Sequence, residues 1–185
     1  MTERYTRALV LSRMDVNDHD AVIRMFTEEF GKVVVRAKSI RKITSKLSAH
    51  FQPLSFVKMR FVPRSGISEG FVLVDGVEDE AFAYHGTRQR DDLVEVVEFL
   101  DAHTYPLEPD QRMWFFLEKV FSGTYHRHDV ARILLSVLGF DATHASCGIC
   151  SAQEVAAFYR GSDFFVCGQC ALKLPKNEVL YIQEQ

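Results

Sequence analysis

Cys147-Gly-Ile-Cys150 and Cys167-Gly-Gln-Cys170 are two Cys-x-x-Cys pairs separated by 16 residues. Two residues between thiolates let one tight turn offer both sulfurs to a single tetrahedral ion, so the two pairs have to converge in space. Gly148 and Gly168 are expected to ease the backbone into those turns. Four thiolates fill the coordination sphere and leave no position for an activated water, which points to one structural Zn2+ held by Cys147, Cys150, Cys167 and Cys170. A zinc nucleobase deaminase needs His-x-Glu and a Pro before its Cys-x-x-Cys, and neither occurs here. A thioredoxin-like redox pair needs a βαβ setting that the preceding helical stretch does not supply. His144, three residues before Cys147, reads as exposed or as a neighbour of the ligands rather than as one of them.

The other constraint is charge. Between Phe30 and Ser68 there is no Asp or Glu, yet this stretch carries Lys32, Arg36, Lys38, Arg41, Lys42, Lys46, Lys58, Arg60 and Arg64. Residues 1–64 hold 13 Lys or Arg against 6 Asp or Glu, whereas the whole chain of 185 residues has a net charge of −3. The rest of the chain is therefore strongly acidic. One part suits a polyanion and the other does not. On charge alone the strip reads equally as a phosphate-binding surface or as a solvated basic face. The polar start, MTERYTR, does not resemble a secretory leader, and no window approaches the ~20 apolar residues of a spanning helix, so a soluble intracellular protein is expected.

Alternation predicts strands at Ala8–Ser12, Ala21–Thr27, Val33–Lys38, Leu54–Val62 and Gly70–Asp75. Polar Asp15–Asp20 makes the first turn, and Gly31 supplies a positive φ in the second. In the third strand Arg36 and Lys38 share one face, with Val33, Val35 and Ala37 on the other. Residues 39–53 form a long basic connection with a short helix near Lys46–Ala49. Five short strands with such a connection suit a small closed barrel such as the OB-fold. Helical spacing follows at 91–100, 112–121 and 129–138, with Asp129 as an N-cap and Gly139 as a stop. The fold class read from this pattern is α+β. A barrel domain spans 1–78, and a small helical domain spans 79–185 with the zinc knuckle at 147–170.

Nothing in the chain spells out an enzyme. It lacks a Gly-rich phosphate loop, a Gly-x-Ser-x-Gly elbow and a paired-carboxylate motif. His126-Arg127-His128 reads as a solvated turn and Glu78-Asp79-Glu80 as a solvated boundary. Phe51, in the irregular connection, is the aromatic residue best placed to stack on a base, while Phe56 and Phe61 read as core.

These residues resemble the RecO family of bacterial recombination mediators. The amino-terminal likeness runs through Ala8-Leu9-Val10-Leu11, Phe26-Thr27-Glu28-Glu29-Phe30-Gly31-Lys32, Val35-Arg36-Ala37-Lys38, Arg41, Ser45-Lys46-Leu47 and Gln52-Pro53-Leu54. The carboxy-terminal likeness covers Leu134–Phe140 and both cysteine pairs. The resemblance implies an OB-fold followed by a helical domain with a zinc knuckle. It also implies single-stranded DNA binding and annealing, and help in loading recombinase on strands coated with single-strand binding protein. The implied partners are the RecR mediator and the tail of single-strand binding protein, and the implied place of action is the cytoplasm at the nucleoid. Three departures stand out: Ser39 where the family has glycine, a short middle at 77–125, and a lone Gly161 where the family has Gly-Gly. Strip and resemblance together nominate Arg36, Lys38, Arg41, Lys42, Lys46, Lys58 and Arg60 as phosphate contacts lining one groove. The alternatives are a protein-interaction adaptor that has lost DNA binding, and an RNA-binding zinc protein.

Overall fold

The computed structural model describes residues 2–42, 45–64, 70–82, 90–125 and 127–182. The chain forms two compact units, Met1–Ser122 and Gly123–Gln185. The first contains strands β1 (Arg4–Val16), β2 (Asp20–Thr27), β3 (Gly31–Ala37), β4 (Phe56–Pro63) and β5 (Phe71–Glu78). They close into a barrel in the order β1-β2-β3-β5-β4, with β4 returning to pair with β1. Every pairing is antiparallel except the short one between β3 and β5. This is an OB-like barrel.

Alternation decides which side chains fill it. Val10, Ile23, Met25, Val33, Val35, Val57, Met59, Phe61 and Leu73 point inward and are buried, joined by Ile40 and Phe51 from the connection between β3 and β4. Phe51 is therefore core rather than a base-stacking residue. Its ring lies so close to Gly76 that a Cβ there would fall 2.5 Å from the Phe51 ring. The short helix α1 (Leu47–His50) packs Leu47 against the same core.

The outside of the barrel is unequal around its circumference. Phe56, Leu9 and Phe26 are register partners across β4, β1 and β2, and all three are buried although they do not face the barrel core. Helix α3 (Gln111–Phe121) covers them: Trp114 and Phe121 lie 5.6 and 4.8 Å from the Phe56 ring. This explains why alternation fails in mid-β1, where Ala8, Leu9, Val10 and Leu11 are all buried. Helix α2 (Arg90–His103) joins α3 through a segment that crosses the β2–β3 turn. There the Leu107 N–H donates to the Lys32 carbonyl at 2.9 Å, and Gly31, at φ 64°, lies against the Glu108 backbone. A side chain at 31 has no room. The barrel's compact unit thus runs past the 78/79 boundary read from the sequence and takes α2 and α3 with it.

The second unit holds helix α4 (Arg127–Val137), then β6 (Ala157–Tyr159), β7 (Phe164–Val166), the single-turn α5 (Gly168–Ala171) and β8 (Val179–Tyr181). Its three-stranded sheet, in order β7-β6-β8, was not foreseen, because three-residue strands are too short to show alternation. Asp129 lies in the first turn of α4 rather than at its N-cap, since the helix begins two residues earlier. Of the His126-Arg127-His128 cluster, His126 lies outside the described residues, and Arg127 and His128 open α4 rather than a loop.

Candidate functional site

The basic strip is free of acids only in sequence. Around the β1–β2 hairpin tip, Asp20 accepts from Arg36 Nε and Nη2 at 3.1 and 2.8 Å, and its other oxygen accepts from the Ser39 N–H at 2.9 Å. Those donors hold the Asp20 carboxyl below its ordinary range, the Ser39 N–H contributing most and Arg36 next. Arg41 Nε lies 3.1 Å from Asp15, and its Nη1 donates to the Asn17 carbonyl at 2.7 Å. The Arg41 N–H donates to the His19 carbonyl, so the connection after β3 is laid against the hairpin tip. Ser39 adopts φ 55°, the left-handed conformation that suits the glycine the family likeness expects there. Lys38, Lys42 and Lys46 are exposed and have no ion pair among the described residues. Arg13, which the nominated set leaves out, donates to the Ser48 carbonyl at 3.2 Å and ties α1 to this end of β1.

Lys58 and Arg60 stand elsewhere. Their register partners on β1 are Arg7 and Tyr5, roughly 25 Å along the strand from Asp15. Lys58 reaches Asp79 at 3.2 Å, and Arg60 reaches Glu3 at 3.3 Å. The groove beside them is also lined by Glu28, Glu29 and Asp75. The single groove wall expected from sequence is thus two separate places: a basic one at the hairpin tip and one of mixed charge at the far end of β1.

Asp79 is 2% exposed, so the reading of residues 78–80 as a solvated boundary is corrected. Arg7 donates to Asp79 at 3.0 Å and to Glu118 at 2.7 Å, with its guanidinium 4.7 Å above the Phe82 ring and 5.4 Å from that of Trp114. Burial pushes the Asp79 carboxyl up, but the bonds from Arg7 and Lys58 outweigh it and leave the group below its ordinary range. This ion-pair node fastens α3 to the barrel. Only Arg7, placed directly before the apolar run Ala8–Leu11, could have hinted at it.

In the second unit the four sulfurs of Cys147, Cys150, Cys167 and Cys170 lie within 4.8 Å of one another, with Cys150 and Cys167 at 3.6 Å. Thiolates bound at about 2.3 Å around a tetrahedral ion stand about 3.8 Å apart, whereas a disulfide needs about 2.05 Å. The cluster can hold a metal ion. Burial raises the Cys147 thiol, yet backbone N–H groups of Cys167, Cys150 and Ile149 more than offset it and bring it down to about 6. Burial, with the neighbouring thiols, pushes Cys170 up to about 12. Such a set favours a cation that lets all four ionise together. Gly148 is needed for a reason other than the turn: a Cβ there would meet the Phe164 ring at 2.6 Å. Gly168 has only an ordinary neighbour, Ala156, at 3.9 Å. His144 is exposed and stands outside the sulfur cluster.

Residues 1–70 match the family model for the recombination protein O N terminal. The chain is 22% identical over 173 residues to the DNA repair protein RecO of Thermodesulfovibrio yellowstonii, covering 90% of this chain and 69% of that protein. It is 25% identical over 186 residues to the protein of the same name from Geobacter metallireducens, covering 92% and 73%. Against the Listeria monocytogenes protein it is 26% identical over 190 residues, covering 92% and 72%. The chain is thus similar to RecO proteins over its first 70 residues by the family model and over 90–92% of its length by these relatives. The OB-like barrel, the helices and the clustered cysteines fit that similarity. No helix among the described residues is long and apolar enough to cross a membrane.

Proposed function

We propose that this chain is a member of the RecO family and a non-catalytic mediator of DNA repair and homologous recombination that binds and anneals single-stranded DNA. The feature that supports the reading is the tying of Arg36, Ser39 and Arg41 to the β1–β2 tip of an OB-like barrel, with Lys38 and Lys42 exposed beside them in the chain and Lys46 exposed just before α1. In this fold the face of strands 2 and 3, with the loops joining strands 1–2 and 4–5, is where oligonucleotides bind. Arg64, exposed where β4 ends, adds a cation at the start of the second of those loops. Relatives named as DNA repair proteins support the same reading.

In the mechanism, the cations neutralise phosphates and so lower the repulsion that opposes the meeting of two strands. Arg36 and Arg41 are already partnered by Asp20 and Asp15, so phosphate has to share or displace those carboxylates, whereas Lys38, Lys42 and Lys46 are ready to bind. Lys58 and Arg60 extend the path around the barrel and contribute less, because acids flank them. The barrel at 1–78 is the nucleic-acid module. One structural Zn2+ on the four cysteines holds the second unit together. From the family likeness we carry over help in loading recombinase, work with the RecR mediator, contact with the tail of single-strand binding protein, and action in the cytoplasm at the nucleoid.

With about five phosphate contacts, log K for single strands falls against log salt with a slope of roughly −3.5. Fluorescence anisotropy with labelled oligothymidylate at several salt concentrations measures it. Binding indifferent to salt overturns the reading. The carboxylates on Arg36, Arg41, Lys58 and Arg60 favour one second reading, a protein-interaction adaptor. Reversing Arg41 and Lys42 to Glu separates the two: a mediator loses DNA binding, and an adaptor keeps its function. Competition between DNA and RNA oligonucleotides of one sequence tests the RNA-binding alternative.

A further inference from the structure

The four thiols of the cysteine cluster are not equally reachable. Cys147 and Cys170 are 1% and 6% exposed and pack in the apolar cluster of the second unit with Ala157, Val166, Ala171 and Val179. Cys150 is exposed and Cys167 half-buried, and their sulfurs lie 3.6 Å apart. The first cysteine turn shows where the difference arises. The Cys147 N–H donates to the Ala152 carbonyl at 2.8 Å and anchors the turn, while residues 148–151 all stand in solvent. One thiol pair is thus dry and the other faces water, and access to solvent selects which sulfur an oxidant meets first.

We propose that Cys150 and Cys167 are a redox switch: a hydroperoxide joins them in a disulfide, which removes two of the four metal ligands and loosens the second unit. The proposal rests on the zinc reading above and adds what the exposed half of the site does. The Cys150 sulfur attacks one peroxide oxygen, an S–O bond forms, the O–O bond breaks, and hydroxide leaves a sulfenic acid behind. The Cys167 sulfur then attacks the Cys150 sulfur, so that an S–S bond replaces the S–O bond and a second hydroxide leaves. Two thiolates lose two electrons, the peroxide gains them, and two protons from solvent complete two waters. Closing 3.6 Å to the ~2.05 Å of a disulfide is a shift of about 1.5 Å, which the exposed tip at 149–151 can supply without moving the buried pair. Cys147 and Cys170 then present two sulfurs where a closed site needs four. Losing the ion removes folding free energy from the small sheet and α5, whereas the barrel belongs to the other compact unit and stays folded.

The test treats the full chain, loaded with zinc, with hydrogen peroxide. It reads the zinc set free with a chelating dye, the cysteines joined by mass spectrometry after alkylation, and amide exchange. The expected result is about one zinc released per disulfide formed, with the bond between Cys150 and Cys167 and with Cys147 and Cys170 left as thiols. Exchange rises across residues 147–182 while β1–β5 stay protected, and a thiol reductant with added zinc restores the protection. Met14, 64% exposed, serves as the internal gauge of oxidant dose, since its sulfoxide is read in the same spectra. If zinc is retained when Met14 is fully oxidised, the switch is overturned while the zinc reading stands. Zinc release with no disulfide, or with any other pairing of the cysteines, overturns the switch as well. If the chain takes up no zinc, both readings fall.

Discussion

Single positions show how local chemistry is set by neighbours distant in sequence. Gly31 combines φ 64° with a face pressed on the Glu108 backbone, so Gly31→Ala meets both backbone strain and a clash. It is expected to lower stability by about 2–4 kcal/mol in urea titration. Ser39 shows the reverse: it holds φ 55° without being glycine, and Ser39→Gly should raise stability by about 0.5–1 kcal/mol. Asp79 carries a pH dependence whose sign follows from its lowered folded-state value. Its contribution is complete above the ordinary carboxylate range and is lost as pH falls through the lower folded-state value. Asp79→Asn should therefore cost about 1–3 kcal/mol near neutrality and flatten the acid limb of a stability–pH curve. Of these three positions, Gly31 alone was legible as a turn glycine. The buried role of Asp79 was hidden because Arg7, Lys58 and Glu118 are far apart in the chain.

Among the elements, the five strands and three longer helices fall close to where periodicity placed them, because each is long enough to express a period of 2 or 3.6. What periodicity missed has a physical cause in each case. Mid-β1 is buried on both faces because α3 lies on it, and β6, β7 and β8 are each only three residues long. The cap of α3 is clear: Asp110 accepts from the N–H groups of Arg112 and Met113. Asp110→Ala should cost about 1 kcal/mol of thermal or chemical stability. The small sheet and α5 carry the cysteine turns, and Cys147 and Cys170 are part of their apolar cluster. Chelation is expected to raise amide exchange across residues 147–182 while β1–β5 stay protected, as hydrogen-exchange mass spectrometry can show. Elemental analysis should find about one zinc per chain, and its absence from freshly purified protein would overturn the metal assignment.

For the whole molecule, two compact units predict two separable unfolding events, of which metal removal abolishes or lowers only the one belonging to residues 123–185. Calorimetry with and without chelator reads this directly. By itself the amino-acid sequence determined the barrel strands, the convergence of the four cysteines and the existence of an acid-free basic strip. All three are properties of short segments whose side chains act through neighbours a few residues away. Only the tertiary structure decided what that strip is worth. Closing the barrel brings Asp15 and Asp20 onto Arg41 and Arg36, and it sets Lys58 and Arg60 apart at the other end of β1. Charge interactions and exposure depend on distance through space, and folding sets those distances.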